Sequence, residues 1–202
     1  MNNKDIQIRL LQALLDEITR KYDYFINLQQ ETIEKTYEMA VKDHLTKLYN
    51  RMYLEDYLRH LIKMSKRDKA VFQILFIDLD NFKPINDIYG HEKGDQILKE
   101  VADFLRLKFR DYDIIARLGG DEFCVVLEEE VDQDRIEKIR EEFEKTFSQY
   151  NLSFSYGIAN SKELDYSKEE DYIIKDMLKF ADERMYKQKM QRKGWSFSHQ
   201  PN

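Results

Sequence analysis

Apolar side chains punctuate the first forty residues at helical intervals: Leu11, Leu15, Ile18, Tyr22, Ile26, then Ile33, Tyr37 and Ala40. The steps of four and three, with one of seven across polar Gln29, trace one stripe nearer an eleven-residue than a seven-residue repeat. Neither Gly nor Pro occurs between Met1 and Phe82, so nothing interrupts a helix of residues 6–42. A lone helix of that length has no core of its own to cover. Either it lies on the domain that follows, or it pairs with a copy of itself. Polar residues on its other faces favour a parallel helical stalk.

From about Asp43 the period changes. Tyr53, Leu54, Tyr57, Leu58, Leu61 and Ile62 mark a short amphipathic helix. Val71 to Ile77 is a continuous apolar run of strand length, as a central strand requires. Ile97, Leu98, Val101, Ala102, Leu105 and Phe109 line one face of a further helix, and Ile136, Ile139, Phe143 and Phe147 another. Ile114–Leu118 and Phe123–Leu127 are short strands around Gly119-Gly120-Asp121-Glu122, a hairpin turn. Leu152–Ala159 predicts a last strand, and Ile173, Ile174, Met177, Leu178, Ala181 and Met185 a last helix. The order helix, strand, helix, hairpin, helix, strand, helix predicts an α/β fold with an antiparallel-containing sheet. No internal repeat or low-complexity tract interrupts it.

Composition narrows the picture. The 202 residues are 42% hydrophobic, enough for a real core, and Gly (6) with Pro (2) are scarce, which favours long regular elements. The net charge of −6 leaves only a local basic patch for nucleic acid. Cys124 is the single cysteine, so neither an intrachain disulfide nor a cysteine-built zinc site is available. No apolar run approaches the ~20 residues of a membrane span, and the N-terminus lacks a signal-peptide pattern. The expectation is a soluble cytoplasmic protein with neither membrane nor nucleic acid as partner.

Chemistry concentrates where the glycines do. Gly90, Gly94, Gly119 and Gly120 fall within one short stretch, among acidic residues at strand ends: Asp78, Asp80, Asp121 and Glu122. Asp78 follows the apolar strand directly, and strand periodicity puts Asp80 on the same face if the chain stays extended. The hairpin tip brings Asp121 and Glu122 beside Asp78 if the two strands are neighbours. Clustered carboxylates repel unless a cation neutralises them, and hard oxygen donors favour Mg²⁺ or Mn²⁺. Two such ions can activate an attacking hydroxyl and steady a phosphate leaving group. Taken singly, each acid reads more simply as a solvating loop end; taken together they do not.

The run from Phe76 to Asp87 (FIDLDNFKPIND), continuing through Tyr89-Gly90-His91 to Gly94-Asp95 and then Arg117-Leu118-Gly119-Gly120-Asp121-Glu122-Phe123, resembles a GGDEF-domain diguanylate cyclase. Asp43-His44-Leu45-Thr46-Lys47-Leu48-Tyr49-Asn50-Arg51 is similar to that family's opening motif, and Ser155-Tyr156-Gly157-Ile158-Ala159 to its last core strand. The motifs occur in the family's order over residues 43–193. The resemblance implies a palm-like, antiparallel-containing central sheet flanked by helices. It divides the chain into an N-terminal helical stalk (1–42) for dimerisation or signalling, the GGDEF domain (43–193) and a C-terminal tail (194–202). It also implies that a homodimer condenses two GTP, one per subunit, into cyclic di-GMP with release of two pyrophosphates.

By this resemblance Asp78, the main-chain carbonyl of Leu79, Asp121 and Glu122 hold two Mg²⁺ (or Mn²⁺) per active site. Asp121 accepts the 3′-hydroxyl proton with Glu122 beside it, and Lys83 stabilises transition-state charge. Asn86 and Asp95 read guanine, whose N1–H and amino group a carboxylate can accept from. His91 and Arg117 lie near substrate, Phe82 and Leu98 wall the base, and Lys189 binds phosphate. A simpler reading of Asp95 is a helix N-cap before Gln96. The usual Gly-Arg-Asn ending is replaced by Arg192-Lys193-Gly194, so Lys193 stands for an arginine and loses its bidentate fork, unless Arg192 compensates. Arg110 and Asp113 form an Arg-x-x-Asp pair separated from Gly119 by five residues, Ile114 to Leu118, the spacing of the family's product-binding inhibitory site. The competing reading is a GGDEF domain without turnover that senses cyclic di-GMP.

Overall fold

The computed structural model describes residues 3–198, without the side chains of residues 3, 5 and 193–198. The chain forms two compact units, Met1–Val41 and Lys42–Asn202.

The first unit is one helix, α1 (Asn3–Val41). Its polar faces satisfy themselves locally. Thr32 and Thr36 hydroxyls each donate 2.7 Å bonds to carbonyls one turn back, and Lys21–Glu17 pairs at 3.1 Å. Its apolar side chains are exposed in the single chain: Leu11 is 63%, Ile18 63%, Tyr22 64% and Ile33 68% accessible.

The second unit is built on a five-stranded sheet of order β1-β3-β4-β2-β5. In chain order it comprises β1 (Tyr49–Asn50), α2 (Arg51–Asp68), β2 (Gln73–Asp80), α3 (Phe82–Tyr89), α4 (His91–Lys108), β3 (Ile114–Gly119), β4 (Glu122–Leu127), α5 (Gln133–Thr146), β5 (Ser153–Asn160) and α6 (Glu170–Ser198). β2 pairs antiparallel with both β4 and β5, β3 with β4, while β1 runs parallel to β3. The α/β expectation holds.

Strand alternation sorts the core into two layers. Leu75, Ile77 and Leu79 of β2, with Phe123 and Val125 of β4, pack against α3, α4 and α5. Ile74 and Phe76, with Cys124 and Val126, pack against α2 and α6. Cys124 is fully buried, and burial pushes its thiol up to about 12, so it behaves as a small hydrophobe.

Three elements differ from expectation. The stretch after Asp80, for which the pattern predicts no element, is the helix α3, which tolerates Pro84 because it sits in the first turn where no backbone donor is needed. β1 is two residues long, too short for any period to reveal. The expected tail from 194 begins as a continuation of α6 through Ser198, and residues 199–202 lie outside the described residues. No helix among the described residues is long and apolar enough to cross a membrane.

α6 runs beside the edge strand β5 in close contact. A Cβ on Gly157 would collide with the backbone of Ala181 and Met185, so only glycine permits the approach. Arg184, Gln188 and Arg192 then meet the outward backbone of β5 in sequence. Arg184 donates to Ile158 O (2.6 Å), Tyr156 N donates to Gln188 Oε1 (2.7 Å), and Arg192 donates to Phe154 O (2.9 Å). Four helical residues rise about 6 Å and two strand residues about 6.7 Å, so the ladder stays in step over three rungs.

Candidate active site

The even-numbered residues of β2 face α6: apolar Ile74 and Phe76 give way to Asp78 and Asp80 where the strand leaves the core. Asp78 lies directly opposite Glu122 in the β2–β4 register, and Leu79 N donates to Asp121 O at 3.2 Å. The connecting turn depends on Gly119 (φ 147°) and Gly120 (φ 53°), conformations that favour glycine. Arg117 clamps that turn. Its guanidinium donates to Gly120 O at 2.7 and 3.0 Å and to Asp43 at 3.1 Å. Asp43 in turn accepts from Thr46 N and Oγ1, so the first motif of the domain is tied to the hairpin.

Two cations from α6 reach the acidic strand end. Lys189 Nζ bonds Asp78 and lies 3.5 Å from Asp80 Oδ1. Arg192 reaches Asp80 Oδ2 at 3.3 Å and Glu144 at 2.7 Å, while Ser155 Oγ donates to Asp80 Oδ2 at 2.7 Å. Burial raises the pKa of Asp78; Lys189 opposes that rise, and the charges of Asp121 and Asp80 add to it. Burial likewise raises Glu122, with Asp78 and Asp121 adding and Arg51 opposing. Burial disfavours the Lys189 charge, but Asp78 and Asp80 together raise its pKa above the ordinary lysine value.

These carboxylates suit a hard divalent cation in kind: oxygen donors on adjacent strands that raise one another's pKa are relieved by positive charge. Among the described residues no three acidic or histidine side chains converge tightly enough to enclose an ion, and Asp78 is turned to Lys189.

A second group of site residues lies at the α3–α4 corner. Gly94 is buried, and a Cβ there would collide with Asn86 Oδ1 and come within 3.3 Å of Phe82 Cζ. Phe82 and Leu98 are 7% and 2% exposed, walls already packed into the core. Lys83, His91 and Asp95 stand exposed around this notch. Asp95 is the fifth residue of α4, whose N-cap is Gly90, so the expected capping role is not there.

Arg110 and Asp113 share a turn. Asp113, 8% exposed, accepts from Arg110 N at 2.8 Å, and burial raises its pKa. The Arg110 guanidinium pairs with Glu129 at 2.6 Å and with the Tyr112 hydroxyl. A shallow cleft of about 190 Å³ beside them carries Lys42, Lys47 and Arg106.

A family model for the diguanylate cyclase GGDEF domain matches residues 40–194. The chain belongs to the GGDEF family. Diguanylate cyclase DosC of Escherichia coli is 32% identical over 196 residues, 92% of this chain and 40% of that protein. The bifunctional diguanylate cyclase/cyclic di-GMP phosphodiesterase MucR of Pseudomonas aeruginosa is 42% identical over 129 residues, 60% of this chain and 19% of that protein. The chain thus spans well under half of these curated relatives. Among solved structures, the GGDEF domain of YfiN from Pseudomonas aeruginosa aligns at 31% identity and a TM-score of 0.60, covering 74% of this chain and 89% of that one. The coiled coil and GGDEF domain of DgcB from Caulobacter crescentus, at 22% identity, shares the fold over 90% of this chain and 95% of that one, with a TM-score of 0.71.

Within this GGDEF domain some expected site residues are occupied otherwise. Arg117, assigned above to substrate, spends its guanidinium on the hairpin and Asp43. Arg192, weighed above as a stand-in for the missing arginine, is held by Asp80, Glu144 and the β5 backbone. The side chain of Lys193 lies outside the described residues. Sequence reasoning missed Gly94 as the floor of the Asn86 notch; its only signal was a glycine inside a helical period.

Proposed function

We propose that this domain is a diguanylate cyclase that condenses two GTP into cyclic di-GMP, working as a homodimer. The observation that carries the reading is the register pair Asp78–Glu122, with Asp121 at the same hairpin and Lys189 facing them. Asp78, Leu79 O, Asp121 and Glu122 are the groups that would hold Mg²⁺ or Mn²⁺, two per site. When bound, such ions lower the pKa of an attacking hydroxyl and neutralise phosphate charge.

The chain's own residues supply the remainder. Asn86, seated on Gly94, and Asp95 bond the guanine edge, with Phe82 and Leu98 beneath the ring. Asp121 accepts the 3′-hydroxyl proton, Glu122 sets the field around it, and Lys83 balances charge on the α-phosphate as pyrophosphate leaves. Lys189 serves the triphosphate, with His91 at the rim of the α3–α4 corner. The exposed apolar stripe of α1 pairs with the same stripe of a second copy, and the two-fold axis sets the two substrates face to face. Product inhibition is assigned to Arg110 and Asp113, whose basic cleft suits a dianionic ligand.

The test is production of cyclic di-GMP and pyrophosphate from GTP with Mg²⁺ by the full chain. No product from a well-folded dimer would favour the sensor reading. Removing residues 1–40 should lower specific activity increasingly on dilution, and unchanged activity would dismiss the stalk. Added product should slow the initial rate in wild type but not in Arg110→Ala.

A further inference from the structure

Lys189 is the sole ion-pair partner of Asp78 among the described residues, whereas Asp80 also has Ser155 and Arg192. The pair is sheltered, with side chains 21% and 17% exposed, so neither charge can be left without a counter-charge at low cost. The backbone beneath Lys189 is held on both sides: Ala181 and Met185 press on Gly157, and Arg192 is bonded to Phe154 O. Any rearrangement must therefore come from the four-carbon stem of the lysine rather than from the helix. A lysine is suited to this, being a point charge on a flexible arm.

We propose that Lys189 is a displaceable internal counter-ion, whose ammonium must leave Asp78 before a divalent cation can use that carboxylate. Cation binding at Asp78 and capture of the triphosphate by the same lysine are then one exchange. Phosphate offers Lys189 a new partner at the moment Asp78 loses the old one, while Asp80 keeps Ser155 and Arg192 on its Oδ2. Nucleotide and cation accordingly bind together much better than either does alone. The phosphate half of this exchange rests on the cyclase reading; the cation half does not.

The experiment is a Mn²⁺ titration of the full chain without nucleotide, followed by the electron paramagnetic resonance of the free ion. Lys189→Gln should bind Mn²⁺ at least tenfold more tightly than wild type, and Lys189→Arg, which keeps the charge, should not. A non-hydrolysable GTP analogue should tighten Mn²⁺ in wild type by a larger factor than in Lys189→Gln. Equal or weaker Mn²⁺ binding by a folded Lys189→Gln overturns the proposal. Should that variant fail to fold, lysine ¹⁵Nζ resonances of the wild type decide. The Lys189 signal should move on saturation with Mg²⁺, and an unmoved signal overturns it. A chain that shows the exchange but makes no cyclic dinucleotide would sink the cyclase reading and uphold this one.

Discussion

The acidic end of β2 and the corner between α3 and α4 both carry site residues, yet they treat polar groups in opposite ways. At the strand end the carboxylates are sheltered and already paired, Asp78 with Lys189 and Asp80 with Ser155 and Arg192. At the corner, Lys83, His91 and Asp95 face solvent, and shape is fixed instead by a missing side chain, Gly94 beneath Asn86. Charge is thus already neutralised from within at the strand end. At the corner the polar groups stand open and the shape is set in advance. Substitutions at the first region should change the rate; those at the second should change which nucleotide is accepted and how tightly.

The strongest test of that division is Glu122→Gln. Cyclase activity should fall roughly a thousandfold. Stability should move the other way. Burial, with Asp78 adding, lifts the folded-state pKa of Glu122 above its unfolded value. The cost to stability therefore grows as the pH rises from the ordinary carboxylate pKa to the raised one, and the amide removes it. A thermal melt at pH 7 should shift upward by roughly 2 °C. The gain should vanish below the ordinary carboxylate pKa, where both states are protonated. A lower melting temperature at pH 7 would contradict the crowding of charge.

Asp95→Ser comes next. Competition between GTP and ATP should lose about a hundredfold of discrimination, since a carboxylate repels the N1 acceptor of adenine and accepts from guanine N1–H. Gly94→Ala should raise the KM for GTP about tenfold with little change in kcat, because the added methyl displaces Asn86 rather than the carboxylates. A fall in kcat alone would blur the line between the two regions. The smallest effect is expected away from both. Glu129→Gln frees Arg110 from an exposed ion pair and should tighten inhibition by cyclic di-GMP about two- to fivefold.

Much of this was legible in the chain because two periods rarely coincide. Four of the strands declare themselves as short, largely apolar runs bounded by turns, and the amphipathic helices α2, α4, α5 and α6 by three-and-four spacing. The placement of Asp78 and Asp80 toward one face follows from strand alternation. α3 was hidden because a proline in eight residues reads as a turn, although proline in a first turn costs the helix nothing. The commitments of Arg117 and Arg192 were hidden for another reason. Both depend on carbonyls and carboxylates brought near only by folding, Gly120 O and Asp43 for one, Phe154 O and Glu144 for the other. A long cation in a motif reveals its charge, not its partner.

The three rungs from α6 to β5 carry a consequence of their own. A strand at the rim of a sheet ordinarily offers a row of open amides and carbonyls onto which another chain can zip. Here Ile158 O, Tyr156 N and Phe154 O are each met by a side chain of the same molecule. The rim is thereby quenched without proline, bulge or inward charge, and the guard is a helix that also delivers Lys189 to the acidic strand end. Protection of the sheet edge and delivery of Lys189 are therefore linked through one helix. Loosening α6 would both withdraw the lysine and leave a sticky border exposed to self-association.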